Sequence, residues 1–210
     1  MPPTIAELTL ADEPASWREL GFTVTGGSCR IGAVGLRLAG GQAGRGIVDW
    51  SLRGLASVEL DGLPTSRADG PLEEIEPSAP HPNGVVAIDH VVAVSPDLDR
   101  SVAALQAAGL DLRRRREEPT PAGAPRQAFF RLGEVILEVV QEPDDVIERA
   151  GGPDRPAFFW GLALRAEDLE RTVEGLGELA GSVRPAVQPG RRIATLRRSA
   201  GLAVPLALIS

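Results

Sequence analysis

The spacing of apolar and polar positions divides the chain into three stretches of similar rhythm. The clearest begins at GVVAIDHVVAV, residues 84–94, a short Val-rich run that predicts a buried strand. Ser95-Pro96 reads as a helix start, and Leu98, Val102 and Leu105 then fall at i, i+4 and i+7 on one helical face. Gly109 is placed to stop that helix. LDLRRRRE, RQAFFRLG and EVILEVVQ follow as strands, with a tight turn at Gly133. The order is β-α-β-β-β. After residue 157 it returns: AFFWGLALRA as a strand, EDLERTVEGLGELAG as a helix, then SVRPAVQ, RRIATLRR and LAVPLALIS as strands. Pro205 predicts an edge position or a local irregularity in the last strand.

Both helices open on D-L-[DE]-R-[ST]-V, and the offset is constant at 71 residues, so that Leu98, Val102 and Leu105 map to Leu169, Val173 and Leu176. A repeat of this size marks a unit that buries its apolar face against a copy of itself. Residues 4–60 carry a weaker version. TIAELTL reads as a strand and PASWRELG as a short helix with Trp17 and Leu20 inward; FTVTGG, SCRIGA, VGLRLAG and GIVDWSLRG are further strand candidates. Residues 61–83 have the Pro, Gly, Ser and acidic content of a linker. The expected fold is α+β: tandem βαβββ modules at 84–142 and 157–210 making one domain, with a partial module in front.

Composition narrows the function classes. An apolar fraction of 43% over 210 residues supports an ordinary core. The 22 basic residues are all Arg, yet the net charge is −7, which excludes a general nucleic-acid surface. Cys29 is the single cysteine and cannot form an internal disulfide. The start, MPPTIAELTLADE, lacks the basic region of a secretory signal, and no run approaches the roughly 20 apolar residues that span a bilayer. A soluble cytoplasmic protein without membrane or nucleic-acid partners is expected. No phosphate loop, zinc spacing or nucleophile elbow is present.

The combination of I-D-H on a first strand, a D-L-D-R helix, paired strands and L-E-V, repeated at a constant offset, resembles the glyoxalase / vicinal oxygen chelate superfamily, including its bleomycin-resistance-type binders and extradiol dioxygenases. The resemblance covers residues 84–210 well and the N-terminal stretch loosely. It implies two modules packed edge to edge around a cup made of mixed sheet. In catalytic members, a divalent metal is held by residues of the first and last strands of both modules. Carried over, those positions are His90 and Glu138 in the first of the two modules. A carboxylate inside V-I-L-E-V-V must be paired, protonated or metal-bound. The second module departs from the pattern: Gly161 stands opposite His90 and Leu206 opposite Glu138, and neither ligates. In residues 4–60, Glu7 or Leu8 takes the place of the His, and Arg37 or a neighbour that of the Glu.

The resulting expectation is a degenerate metal site: no cofactor, or a weakly bound divalent metal at His90 and Glu138. His81 in HPNG is an exposed linker residue or, folded over the cup, a general base beside His90 and Glu138. Either Gln127 with Phe129, or Arg126 with Phe130, lines the cavity, and either Arg191 or Arg192 enters it to hold an acidic group. Trp160, beside the space left by Gly161, is a stacking candidate, and the run RRRREE is read as a solvated strand edge. The function expected is binding of a small oxygenated organic molecule. The alternative is an enzyme of this superfamily, a lyase, isomerase or dioxygenase, using His90 and Glu138 with or without metal. The odd N-terminal module predicts a homodimer.

Overall fold

The structure, a computed structural model, describes residues 2–69, 81–120, 123 and 125–210. Two mixed sheets carry most of the chain. The first runs through β1 (Thr4–Leu10), α1 (Pro14–Glu19), β2 (Val24–Thr25), β3 (Ser28–Ile31), β4 (Val34–Leu38), β5 (Ile47–Arg53) and β6 (Thr65–Arg67). The second holds β7 (Val85–Ser95), α2 (Leu98–Ala107), β8 (Asp111–Arg116), β9 (Gln127–Leu132) and β10 (Val135–Gln141). After α3 (Asp144–Arg149) it continues with β11 (Phe158–Ala166), α4 (Leu169–Leu176), β12 (Arg184–Pro185), β13 (Arg192–Thr195) and β14 (Leu206–Ile209).

The strand orders are β2-β3-β4-β1-β5-β6 and β12-β13-β14-β11-β7-β10-β9-β8. In every β-α-β-β-β unit the last strand pairs parallel with the first, and the first strands of neighbouring units meet antiparallel. The N-terminal unit is therefore complete, not shortened. β5 and β6 make a parallel pair beside it, in the places of the first and last strands of a fourth unit. The stretch expected as a linker, 61–83, contributes β6 and an ordered turn at its end; residues 70–80 lie outside the described residues. Pro205 precedes β14, which is an interior strand, so its mark is an irregularity and not an edge.

The repeat is physical as well as textual. Asp97 and Asp168, 71 residues apart, each cap a helix by accepting a hydrogen bond from the backbone N–H of Arg100 or Arg171, both at 3.0 Å. These carboxylates are the caps themselves, where Ser95 was expected. Leu98, Val102, Leu105 and Leu169 are buried under the sheet, and a single apolar core runs through both sheets. Trp50 of β5 meets Phe159 of β11 edge-on at 5.0 Å. Buried Asp12 binds across the junction, accepting hydrogen bonds from Trp17 Nε1 at 3.1 Å and from the Ala203 and Val204 backbone N–H groups. Burial raises its pKa against the pull of those donors.

Candidate functional site

A cavity of about 1020 Å³ opens on one face of the eight-stranded sheet. Its floor depends on a register break. Ala163 pairs with His90, but the next residue, Leu164, pairs with Ile88, so Asp89 is an extra residue on β7. Such a bulge lets neighbours that would point to opposite faces share one. Ile88 and Val91 are buried in the core, and both Asp89 and His90 line the cavity.

The same break recurs at every first strand. Ala6 is the extra residue on β1, Val48 on β5 and Trp160 on β11. In each sheet three aligned pairs separate two bulges: Glu7–Ser51, Leu8–Trp50 and Thr9–Asp49 in one, His90–Ala163, Val91–Leu162 and Val92–Gly161 in the other. Glu7, Asp49, His90 and Gly161 are therefore equivalent. The parallel ladders extend the match. Glu138 pairs with Val92 as Arg37 pairs with Thr9, Ser66 with Ser51 and Ala207 with Ala163. Ala207, not Leu206, is the counterpart of Glu138, and Leu206 is buried in the core. In the N-terminal unit the open choice resolves to Glu7 and Arg37.

His90 sits between two carboxylates. Its Nδ1–H donates to Asp89 Oδ2 at 2.8 Å, and Nε2 lies 3.6 Å from Glu138 Oε2, beyond hydrogen-bond length. Burial pushes the Asp89 carboxyl up, but hydrogen bonds from His90 and Arg191 outweigh it and hold the group at about 2. Asp89 is thus an obligate acceptor. It fixes the ring proton on Nδ1 and, in the neutral ring, turns the Nε2 lone pair toward Glu138. Burial raises the pKa of Glu138, against the opposing pull of His90 and a hydrogen bond donated by Gln127 Nε2. Arg191 ties this floor to the C-terminal strand, donating from Nη2 to Asp89 at 2.6 Å and from Nε to the Ser210 carbonyl at 2.9 Å.

The expected site residues separate cleanly. His90, Glu138, Gln127, Phe129 and Arg191 line the cavity. Phe130 is in the core, and Arg126 binds Asp99 and Glu117. Arg192 turns away to pair with Glu170. Trp160, the bulge residue, is 54% exposed and lies outside the cavity lining. The glycine beside it leaves no ligand space: a Cβ on Gly161 would stand 2.5 Å from the Pro205 carbonyl oxygen, which accepts the Leu162 N–H. His81 is neither exposed nor over the cup. It is 5% exposed, accepts the Thr23 N–H on Nδ1 at 3.1 Å and donates from Nε2 to the Arg30 carbonyl at 3.0 Å. Burial lowers its pKa.

Two groups went unforeseen. Asp89 was hidden because strict alternation places it opposite His90. Arg114 and Arg116 were read as a solvated edge, but they pair with Phe129 and Gln127 and line the cavity. Alternation combined with the β8–β9 register would have found them.

The donor set does not suit a resident divalent ion. His90 Nε2 and one Glu138 oxygen are two ligands, the second Glu138 oxygen is engaged by Gln127, and Gly161 and Ala207 add none. Among the described residues no group of three or more His, Cys, Asp or Glu side chains is placed to hold a metal.

No protein-family model matches the sequence, and no curated protein matches it. Solved structures do. A xylose isomerase-like TIM barrel/4-hydroxyphenylpyruvate dioxygenase fusion protein aligns over 98% of this chain with TM-score 0.63 and 13% identity, and the chain spans 48% of that protein. Methylmalonyl-CoA epimerase from Mycobacterium tuberculosis aligns over 60% of this chain and 88% of its own, with TM-score 0.46 and 17% identity. The alignment over nearly the whole chain agrees with the strand order: the protein has a tandem βαβββ fold, as the sequence resemblance implied.

Proposed function

We propose that the cup binds a small oxygenated organic molecule on its floor, through Glu138, His90 and Gln127, without depending on a resident metal. The observation that carries this reading is a half-buried carboxyl, its pKa raised by desolvation, facing an imidazole at the base of a large cavity. Concave sites with a few convergent polar groups are the usual form of small-molecule sites. A protonated Glu138 offers an O–H to a ligand carbonyl or hydroxyl, and Gln127 steadies its other oxygen. A divalent ion at His90 and Glu138 has two protein donors and binds weakly. The test is metal content by mass spectrometry beside calorimetry with small organic acids. Sub-stoichiometric metal, together with binding lost in Glu138→Ala, is the expected result. Near-stoichiometric metal that disappears in His90→Ala would overturn the metal-free part.

A second reading, an enzyme of the superfamily that the sequence resembles, is favoured by the Asp89–His90 contact. A ring held by a carboxylate at Nδ1 presents Nε2 as a general base, and a protonated Glu138 beside it supplies an acid. Proton transfer at a carbon next to a carbonyl is the reaction such a pair performs. Incubation of candidate acids in deuterated water, followed by NMR, tests it; no exchange above background in any of them would exclude it for that panel.

The lone buried thiol of Cys29, pushed up to about 12 by burial, is in keeping with a reducing cytoplasm. No described helix is long and apolar enough to cross a membrane. The ground for a homodimer has moved. The N-terminal unit finds its partner strand in β5 of its own chain, and of the exposed large apolar side chains among the described residues, Val58, Phe158, Trp160 and Val187, two lie together on β11: Phe158 and Trp160. Sedimentation of wild type against Trp160→Glu tests association through that face.

A further inference from the structure

Charge around the cup is not balanced. Of six arginines in its lining, Arg115 pairs with Asp99 and Glu117, Arg131 with Glu134, and Arg191 with Asp89. Arg114, Arg116 and Arg165 have no ion pair or hydrogen bond to any described residue. Against them stand Glu118 at the rim and Glu138 on the floor. Among the described residues, three guanidinium groups at one cavity thus stand without a partner. Guanidinium groups that no carboxylate holds are available to an anionic ligand.

Their placement is bipolar. Arg114 and Arg116 stand on the cup face of β8, opposite Phe129 and Gln127. Arg165 stands on β11, paired with Ala87 and Ile209 and two residues beyond Ala163, the partner of His90. Strands β9, β10 and β7 lie between. Four strand spacings of about 4.8 Å put the two groups roughly 19 Å apart along the sheet, and curvature and the reach of the side chains shorten that. Phe129 and Ile136 give the intervening floor an apolar lining beside His90 and Glu138.

We propose that the molecule bound in this cup is an organic diacid, with one anionic end held by Arg114 and Arg116 and the other by Arg165, its middle lying over His90 and Glu138. Planar guanidinium groups take carboxylates bidentately, and an arginine pair suits one terminal carboxylate. This rests on the binding reading above and adds the ligand class to it. Arg114 and Arg165 are exposed and Arg116 half-buried, and none holds another residue, so their alanine variants keep the fold.

The experiment is calorimetry at low salt with adipate and hexanoate, which share a carbon count and differ by one carboxylate, on wild type, Arg165→Ala and the Arg114→Ala/Arg116→Ala double variant. Circular dichroism checks folding. Adipate is expected to bind wild type at least about tenfold more tightly than hexanoate, and each variant to remove most of that preference. Equal binding of the two acids, or a preference that survives both variants, overturns the diacid assignment. If that equal binding is still lost in Glu138→Ala, the cup remains a binding site and only the ligand class falls. If neither acid binds and neutral hydroxyketones do, the arginines are not ligand contacts. If nothing binds, both readings fall.

Discussion

The two sheets share a backbone and differ in what stands on it. Both place bulged first strands side by side, so that four equivalent positions face outward on one side. In the N-terminal sheet these positions hold a closed set of charges. Arg37 reaches Glu7 at 3.3 Å and Asp49 at 3.8 Å, and donates to Thr9 Oγ1 at 2.6 Å. All three ionic side chains are about half exposed. In the C-terminal sheet the same positions hold His90, Glu138, Gly161 and Ala207. Two polar groups there, His90 and Glu138, are half-buried on the floor of the cup, and no arginine pairs with Glu138. The difference teaches that the bulge is the shared device and the side chains decide its use. An Arg satisfies the position internally and a histidine–glutamate pair leaves it open to a ligand. Among the described residues, the N-terminal sheet has no helix or strand between β5 and β6, and so no second wall of a cup.

The largest effect should come from forcing the two sheets to be alike. Gly161→His restores an imidazole at a position equivalent to His90, but its Cβ would press on the Pro205 carbonyl, a backbone atom that holds Leu162. Overpacking against backbone should cost about 3 kcal/mol. Asp49→His, at the matching exposed position, should cost under about 1 kcal/mol. Urea denaturation of both variants checks this. A Gly161→His protein as stable as wild type would show that the close approach of Pro205 is not what excludes a side chain there.

Binding sharpens the comparison next. Glu138→Ala and His90→Ala should each weaken binding of a small organic acid by roughly tenfold or more, whereas Glu7→Ala should leave it unchanged. Glu138→Gln separates binding from stability. A carboxyl whose folded pKa is raised stabilises the protein below its unfolded value and loses that contribution as pH rises. At neutral pH the Gln variant should therefore be at least as stable as wild type, with its advantage fading below about pH 4. A Gln variant less stable at every pH would mean that Glu138 is held by contacts that favour its ionised form.

How much of this was legible beforehand depends on whether local spacing or long-range register carried the signal. The 71-residue echo is a local pattern, and it located both C-terminal units and their helices, while the pair His90 and Glu138 came from the family resemblance that the echo supported. Trp17 and Leu20 were likewise visible as the inward side of α1, and both are buried. A bulge is invisible in this way. Nothing in A-I-D-H-V-V says that alternation fails at Asp89, because the failure is defined by the partner strand. The same holds for Arg114 and Arg116, whose face depends on the β8–β9 register, and for Ala207, one residue from the position expected. His81 misled for another reason. Its neighbours have loop composition, but backbone groups of Thr23 and Arg30, more than 50 positions earlier, supply its partners.

The two histidines give a pH test of the same contrast. Burial lowers the pKa of His81, against the opposing pull of the Arg30 carbonyl that accepts from its Nε2. A depressed group contributes stability that is present above its unfolded value and is lost as pH falls, because the unfolded chain then takes up a proton the folded one resists. Stability should drop as pH falls from about 7 toward 5, and the slope should flatten in His81→Gln. Asp89 acts in a lower window. Held at about 2, it stabilises above its unfolded value of about 3.9 by an order of 2 kcal/mol, and that is lost as pH falls toward 2. Asp89→Asn should remove this lower slope and leave the His81 window unchanged. Denaturation midpoints across that pH range separate the two.

The smallest effect should come from Arg37→Ala. The pairs it makes are exposed, with side-chain accessibilities of 51% for Arg37, 44% for Glu7 and 39% for Asp49, and such pairs contribute under about 1 kcal/mol each. Its loss nevertheless leaves Glu7 and Asp49 facing one another across the sheet, so the change should be destabilising and should shrink as salt screens the two carboxylates. Arg37→Glu goes further, assembling three carboxylates on equivalent first- and last-strand positions. If the bulge is the shared device and side chains decide its use, this variant should be less stable than wild type by about 1 kcal/mol and should recover when a divalent cation is added, a recovery that neither wild type nor Arg37→Ala shows. Calcium- or manganese-dependent thermal shifts measure it. A variant indifferent to cations would mean that the N-terminal sheet lacks not only the side chains of a ligand site but the geometry that brings them together.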